Sequence, residues 1–311
     1  MKQYDSGLSY FNKLMIDFAK KEGISAELVD EALNFVKYTK NNVTYTCYES
    51  LCDNVSSLAF LNCNDKSVTS KLLSNGDLLV PAELSIRNIG EREIAFLEVH
   101  KNVVVKPAIG EQGLGVTVNI QDPLALQAAF EQAKIICEKV ILQEYIRGDE
   151  MRVLIIDNKV AASTLKIVPH TLADGKMNII ELFQKFRNGK QSIDAASQIN
   201  LEFDVDVQRC IEGQGYDITS IPAQDTKLYF RYNANIATGG RSVDNTEALG
   251  NEVCDACERA AKILQIPVVG FDIIKNDKLI YFIEANERPG LGFHEPQPVL
   301  DIFFSYLFQN N

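Results

Sequence analysis

The stretch that most constrains this chain is Val268–Pro296, VVGFDIIKNDKLIYFIEANERPGLGFHEP. Two runs rich in β-branched and aromatic residues flank a polar turn at 275–278, and this pattern predicts a β-hairpin. Asp272 lies in the first run, and Glu284 and Asn286 end the second. Because side chains two positions apart on a strand point the same way, Glu284 and Asn286 share a face. Hard oxygen ligands that converge on one face are what Mg²⁺ bound to phosphates requires.

The spacing of Asp272 and Glu284 sets a geometric condition on this hairpin. A two-residue hairpin loop pairs positions of opposite parity, which would put these two acids on opposite faces. They can share a metal only if the hairpin has an odd-length loop or a β-bulge near the turn at 275–278. Taken alone, the acids are more typical of a solvated strand face. A bulge or an odd loop is therefore the structural prediction that goes with a metal site.

Composition and charge exclude several classes of partner. A chain of 311 residues can bury a large core divided into two or three subdomains. The net charge of -11 argues against nonspecific binding to nucleic acid or to anionic membranes. No apolar run approaches transmembrane length, and the start MKQYDSGLSY lacks the apolar region of a signal peptide. We therefore expect a cytoplasmic protein with no nucleic-acid and no membrane partner.

The seven cysteines point to the same compartment. An odd number of scattered cysteines favours reduced thiols. Cys254 and Cys257 form a C-x-x-C within a helical pattern, where core packing is favoured over redox chemistry. Three histidines and no second C-x-x-C make a zinc site a poor interpretation.

The first sixty residues predict a short α/β module. Apolar residues at helical spacing indicate a helix within 6–22, and Ser25 is placed to cap a second helix that reaches about Val36. The alternating run at 42–50 predicts a strand. Further on, Asn64 or Asp65 can cap the helix that begins NDKSVTSKLL.

A glycine-bearing loop joins two strands in the middle of the chain. The first strand ends at Lys106-Pro107, and the second runs over 116–120. The loop between them contains Gly110, Gly113 and Gly115. Glycines let backbone N–H groups close on phosphates, and a lysine at the strand end adds a point charge. An ordinary flexible hairpin is the alternative.

Two further places could contact a nucleotide or an anion. The link Gln143–Ile146 connects two subdomains, and its backbone groups could hydrogen-bond an adenine edge, while Glu150 could accept from ribose hydroxyls. Solvated acids are the alternative. Arg231 and Asn235 flank a small-residue loop and could contact an anion, although an isolated arginine is more often a surface residue.

In this order, the motifs resemble the ATP-grasp ligases, and above all the ATP-grasp domains of cyanophycin synthetase and of bifunctional glutathione synthetase. The resemblance covers about four fifths of the chain and rests on KPAIGEQGLGV, QEYIRGDEMRVLII, ADGKMNIIEL, NANIATGGRSVD and IEANERPGL. It implies an α/β (α+β) fold in which two α+β subdomains clasp ATP. The expected organisation is a short N-terminal module at 1–62, a subdomain with the glycine-rich flap at 63–143, and a C-terminal subdomain with the Mg²⁺ site at 144–311.

The resemblance also implies roles for individual residues. Those that match ATP-binding positions are Lys66, Lys106, Gly110, Gly113, Gly115, Gln143, Glu144, Tyr145, Ile146 and Glu150. Asp272, Glu284 and Asn286 match the ligands of two Mg²⁺ ions, for which Mn²⁺ can substitute. Arg231, Asn235 and Lys106 match the positions around the developing acyl phosphate.

The implied activity is an ADP-forming ligase that joins a small carboxylate to an amine, such as an amino acid or a peptide-like compound, through an acyl phosphate. The alternatives are an ATP-grasp phosphotransferase and a nucleotide-binding protein without turnover. A homo-oligomer is compatible with the sequence. Lys166 stands where close relatives are expected to have arginine, and 173–175 reads Ala-Asp-Gly where they are expected to have Gly-Asp-Gly. Because arginine and lysine bind carboxylates differently, these departures leave the substrates open.

Overall fold

The computed structural model describes residues 8–30, 33–111, 113–193, 201–234, 238–293 and 296–308. The helices are α1 (Tyr10–Lys21), α2 (Ser57–Asn64), α3 (Lys66–Asn75), α4 (Glu91–His100), α5 (Pro123–Ile136), α6 (Ile179–Ile193), α7 (Val205–Glu212), α8 (Asn251–Leu264) and α9 (Pro296–Phe308). The strands are β1 (Ser25–Asp30), β2 (Phe35–Lys40), β3 (Val43–Tyr48), β4 (Leu51–Cys52), β5 (Glu83–Ile86), β6 (Val103–Pro107), β7 (Thr117–Ile120), β8 (Val140–Glu144), β9 (Asp149–Ile156), β10 (Lys159–Ile167), β11 (His170–Leu172), β12 (Lys227–Tyr229), β13 (Arg241–Asp244), β14 (Val268–Asn276) and β15 (Leu279–Asn286).

The chain divides into two compact units, each built from separate segments. The first unit comprises Met1–Pro81, Ile146–Leu165 and Asp244–Asn311, and the second comprises Ala82–Tyr145 and Lys166–Val243. The sheets have the orders β1-β2-β3-β4, β13-β10-β9-β14-β15, β5-β8-β6-β7 and β11-β12. This mixture of helices and antiparallel sheets confirms the predicted α/β (α+β) class. The domain boundaries expected at 62/63 and 143/144 stay predictions.

The N-terminal module differs from its prediction in one element. Helix α1 is present, but the helix expected from Ser25 to about Val36 is wrong, because β1 and β2 occupy this stretch as an antiparallel pair. Leu28 lies opposite Val36, and alternate residues of both strands pack into the core. Burial of this alternating apolar set against the rest of the first unit outweighs the local helical spacing.

Two cores cover the two faces of the long strands in the first unit. Leu154 and Val268 belong to the core that also contains Met15 of α1 and Phe303 of α9. Val153 and its neighbours on the other face pack with α2, α3 and α8. Since side chains alternate along a strand, residues two positions from Leu154 share the face covered by the N-terminal module.

The second unit has two cores of its own. One lies between the sheet β5-β8-β6-β7 and α5, where Val105, Phe130 and Leu142 are buried. The other joins α6, α7 and β12. Helix α6 reaches Ile193 and so includes the polar tract 187–192.

The expectation that the cysteines are reduced thiols is wrong for one pair. Cys47 on β3 lies opposite Cys52 on β4, with a Cα–Cα distance of 4.0 Å, and the two form a disulfide. The short strand β4 creates this proximity, and a two-residue strand leaves no periodicity to read. Cys254 and Cys257 are free thiols on α8, and Cys257 is buried in the core, where burial raises its pKa. Within the described residues, none of the helices has the length and apolar character needed to cross a bilayer.

Candidate functional site

The hairpin of β14 and β15 contains a β-bulge, one of the two features that would let Asp272 and Glu284 share a face. Asn276 pairs with Leu279 across a two-residue turn, and this regular register continues as far as Ile273 opposite Phe282. The register then shifts so that Asp272 lies opposite Glu284, which leaves Ile283 as the extra residue. The predicted bulge is confirmed, although it lies on β15 and not at the turn itself.

The shifted register brings the predicted metal ligands to one face. Asp272 faces Glu284, and Gly270 faces Asn286 in the next pair of the same parity. The Nδ2 of Asn286 donates to the carbonyl oxygen of Gly270 at 3.0 Å. This bond orients the amide and leaves its oxygen as the acceptor atom for a cation.

Lys66 joins this face from the start of α3. The Asp65 side chain accepts from the N–H groups of Ser67 and Val68, and this cap begins the helix at Lys66. The buried Nζ of Lys66 lies 3.1 Å from Oε1 of Glu284. The cap predicted from the sequence thus fixes a lysine beside one of the carboxylates.

Arg152 is a member of this cluster that the sequence interpretation missed. Its Nε donates to Oδ1 of Asp272 and its Nη2 to Oδ2, both at 2.7 Å. Burial by itself would lower the pKa of Arg152, but the paired Asp272 raises it above its ordinary value. A signal was present in DEMRVLII, because Arg152 has the parity of the buried Leu154 and a charge on a buried strand face requires a partner.

The donor set fits Mg²⁺. Two carboxylates and an amide oxygen are hard ligands, and the register places all three on one face. Within the described ranges, no group of three or more His, Cys, Asp or Glu side chains could hold a metal. The candidate site is not a group of that kind, because it has two carboxylates, Asp272 and Glu284, and its third donor is the side-chain amide of Asn286.

In the second unit, Lys106 belongs to a buried polar chain. Its Nζ donates to Oε1 of Gln143 at 3.0 Å, and Nε2 of Gln143 donates to Oε2 of Glu83 at 3.0 Å. Lys106 is 4% exposed and Gln143 is 3% exposed. The side chain of Gln143, on β8, therefore connects Lys106 on β6 to Glu83 on β5. Strand β8 leads into the predicted adenine link.

The backbone of that link is already partly engaged. The N–H of Glu144 donates to the Ala82 carbonyl and that of Tyr145 to the Asn102 carbonyl, at 2.9 and 3.1 Å. The chain passes between the two units at Tyr145–Ile146. Glu150 lies beyond this point on β9, opposite Ile274.

The glycine loop takes conformations that other residues adopt with strain. Gly113 and Gly115 have φ values of 72° and 69°, and Gly110 has a φ of 149°. A Cβ at Gly115 would lie 3.1 Å from the side chain of Ile136 and 3.3 Å from the backbone of Ala133. Close packing and positive φ together explain the glycine there.

Arg231 is buried beside the strand that follows this loop. Its Nη2 lies 2.5 Å from Oδ2 of Asp204, and its Nη1 lies 3.7 Å from Oδ2 of Asp206. The Nε of Arg231 has no hydrogen-bond partner among the described residues. Val116, Arg231 and Arg209 line one small pocket. Asn235 lies outside the described residues.

The structure thus brings together Lys66, Asp272, Glu284 and Asn286 in the first unit. Within the second unit it pairs Lys106 with Gln143 and places Arg231 near the end of the glycine loop. The catalytic, nucleotide and metal roles of these residues stay predictions.

Comparisons with known proteins connect this arrangement to a family. Residues 63–192 match the sequence model of the ATP-grasp domain. The cyanophycin synthetase of Trichormus variabilis is 27% identical over 98% of this chain, which covers 36% of that protein. The bifunctional glutathione biosynthesis protein GshAB of Enterococcus faecalis is 27% identical over 89% of this chain, which covers 38% of that protein. The chain therefore spans little more than a third of the length of these curated relatives.

Solved structures agree on the fold. The bifunctional glutathione synthetase of Pasteurella multocida superposes with a TM-score of 0.65 at 22% identity, covering 98% of this chain and 44% of that one. The D-alanine–D-alanine ligase of Bacillus anthracis superposes with a TM-score of 0.53 at 16% identity, covering 81% of this chain and 70% of that one. Residues 63–192 therefore match an ATP-grasp domain, and the chain has the ATP-grasp fold.

Proposed function

We propose that this protein is an ATP-dependent, ADP-forming ligase that joins a small carboxylate to an amine. The observation that carries the proposal is the single face on which Asp272, Glu284 and Asn286 meet Lys66. Three oxygen donors and a buried lysine suit a metal–phosphate group. The relatives named above, cyanophycin synthetase and a glutathione biosynthesis protein, support this choice of reaction class.

The proposal gives the nucleotide-binding residues distinct tasks. Lys66 and Lys106 supply positive charge to the phosphates. The loop with Gly110, Gly113 and Gly115 presents backbone N–H groups to them. The link Gln143, Glu144, Tyr145 and Ile146 holds the adenine, and Glu150 accepts from the ribose. Because the N–H groups of Glu144 and Tyr145 already have partners, we expect a carbonyl of the link to receive the adenine amino group.

The proposed reaction has two steps. A substrate carboxylate attacks the γ-phosphate and gives an acyl phosphate and ADP, and an amine then attacks the acyl carbon and expels phosphate. When bound, Mg²⁺ would offset charge on the phosphate oxygens. Lys106 and Arg231, with Asn235 in the same loop as Arg231, orient the transferring group and stabilise its charge. Amino acids or peptide-like compounds are the substrate class, and a cytoplasmic location stays a prediction.

Turnover with pooled substrates tests this function. The protein would be incubated with Mg-ATP and pools of carboxylates and amines while ADP and phosphate are followed and products are weighed by mass spectrometry. We expect ADP only when an acid and an amine are both present, together with a dehydrated adduct. Hydroxylamine should intercept the acyl phosphate as a hydroxamate. A product heavier by a phosphoryl group would instead identify a phosphotransferase, and binding without turnover would identify a nucleotide-binding protein.

A separate variant tests the assignment of Glu284 as a metal ligand. Glu284→Gln removes one ligand charge, and we expect turnover to fall about 100-fold, in the range seen when one group that stabilises transition-state charge is lost. Glu252→Gln is the matched control, because Glu252 also pairs with a lysine, Lys275, at 2.6 Å. Near-normal turnover of Glu284→Gln would contradict the assignment.

A further inference from the structure

Four charged side chains form a row on one face of the first unit. Arg152 on β9 lies opposite Asp272 on β14, and Asp272 lies opposite Glu284 on β15. Lys66 from α3 then contacts Glu284. Along the row the charges read positive, negative, negative, positive.

The outer cations hold the two inner acids. The guanidinium of Arg152 uses both oxygens of Asp272, whose side chain is 8% exposed. Lys66 is 7% exposed and holds one oxygen of Glu284. Two carboxylates on neighbouring strands repel each other, and each cation offsets that repulsion from its outer side.

The formal charge of the row is zero, and this determines how it receives a cation. Affinity for divalent ions rises with the net negative charge of the ligand set. A dication that arrives by itself meets two cations beside the two carboxylates, and among the described residues only Glu150, two residues before Arg152 on the same strand face, adds a further negative charge near Arg152. A nucleotide changes this balance, because its phosphates bring negative charge and offer Lys66 another partner.

We infer that Arg152 acts through Asp272 as a built-in counter-ion, so that the site takes up a divalent cation together with the nucleotide and not before it. This inference rests on the proposed function, which assigns the metal to Asp272, Glu284 and Asn286. Arg152 holds the Asp272 carboxylate in place throughout. Lys66 moves from Glu284 to a phosphate and thereby opens Glu284 to the cation.

Mn²⁺ binding, measured by the electron paramagnetic resonance signal of the free ion, tests the inference without any turnover. The full chain would be titrated with and without ADP. The wild type should bind Mn²⁺ weakly alone and strongly with ADP. Arg152→Gln should bind Mn²⁺ without nucleotide about tenfold more tightly than the wild type or better, because one positive charge near a dication is removed. Arg152→Lys retains the charge and should behave like the wild type.

The possible outcomes separate the inference from the proposed function. If the wild type binds no Mn²⁺ even with ADP, the metal assignment itself fails. If it binds with ADP but Arg152→Gln gains nothing without nucleotide, only the counter-ion role of Arg152 is overturned. Arg152→Met provides the second variant should Arg152→Gln not fold. It also removes the charge beside Asp272, so tighter nucleotide-free binding supports the inference and unchanged binding overturns it.

Discussion

Lys106 shows how one buried side chain links strand packing to the proposed chemistry. It lies on β6, whose residues are all buried, and its Nζ finds its partner in Gln143 on the neighbouring strand β8. A lysine is seldom buried to 4% exposure unless it is paired. The amide oxygen of Gln143 gives this ammonium a neutral hydrogen-bond acceptor inside the sheet.

Lys106→Met tests this role at the residue scale. Turnover should fall about 100-fold, because a positioned cation is lost from the transferring phosphoryl group. The free energy of unfolding should fall by about 1–3 kcal/mol, because Gln143 loses its buried donor. Steady-state kinetics and urea unfolding measure the two effects. Lys101→Met, an exposed lysine before the same strand, is the control, and equal effects of both variants would refute the assignment.

At the scale of elements, glycine is expected to stabilise the glycine loop and to destabilise helix α6. Gly115 has positive φ and close neighbours, whereas Gly189 lies in α6, where a Cβ would have no atom within 4 Å. Gly115→Ala should lower the free energy of unfolding by about 1–2 kcal/mol through left-handed strain. Gly189→Ala should raise it by about 0.5–1 kcal/mol through helix propensity. Urea unfolding of both variants checks the signs, and a shared sign would contradict the loop conformation.

The hairpin of β3 and β4, closed by a disulfide, is the second element whose contribution to the free energy of unfolding can be measured. The Cys47–Cys52 bond closes the turn between β3 and β4. That turn contacts the segment that follows β15, since Ser50 Oγ donates to the Pro289 carbonyl and Arg288 lies over the Tyr48 ring.

Cys52→Ser should lower the free energy of unfolding by about 2 kcal/mol, as expected for a short closed loop. Urea unfolding under oxidising conditions measures the loss. Addition of a reductant should bring the wild type to the same midpoint and leave the variant unchanged. A wild-type midpoint that does not respond to reductant would show that the bond is absent in solution.

At the scale of the whole molecule, the N-terminal module is part of the first unit and not an appendage. Phe18 and Tyr38 pack against Phe304 of α9, with ring centroids 5.4 and 5.1 Å apart. The same core includes Leu154 of β9 and Val268 of β14. Much of the apolar surface on this face is therefore covered by α1 and β1–β4.

A fragment of residues 63–311 should expose this face. We expect it to bind a hydrophobic dye, to associate in solution and to unfold at a lower urea concentration than the full chain. Dye fluorescence, light scattering and urea unfolding, each compared with the full chain, measure these effects. A monomeric fragment with the stability of the full chain would show that the module contributes no core.

The sequence by itself determined the elements that carry the site, because capping and hydrophobic periodicity are local. Asp65 caps α3 and β6 ends at Pro107, as predicted, and the helical pattern around Cys254 and Cys257 forms α8. The parity of Asp272 and Glu284 predicted that a shared face needs an odd-length loop or a bulge, and the hairpin has the bulge. These features depend only on residues that are close in the sequence, so they can be predicted from the sequence alone.

Only the tertiary structure decided which charges pair and which strands lie side by side. The partner of Arg152 is 120 residues away, and strand register is set by the packing of the whole sheet. The same non-local packing turned Ser25–Asp30 into a strand and brought Cys47 to Cys52. The sequence thus predicted the oxygen donors of the candidate site, and the fold added the arginine and the lysine contact that balance their charge.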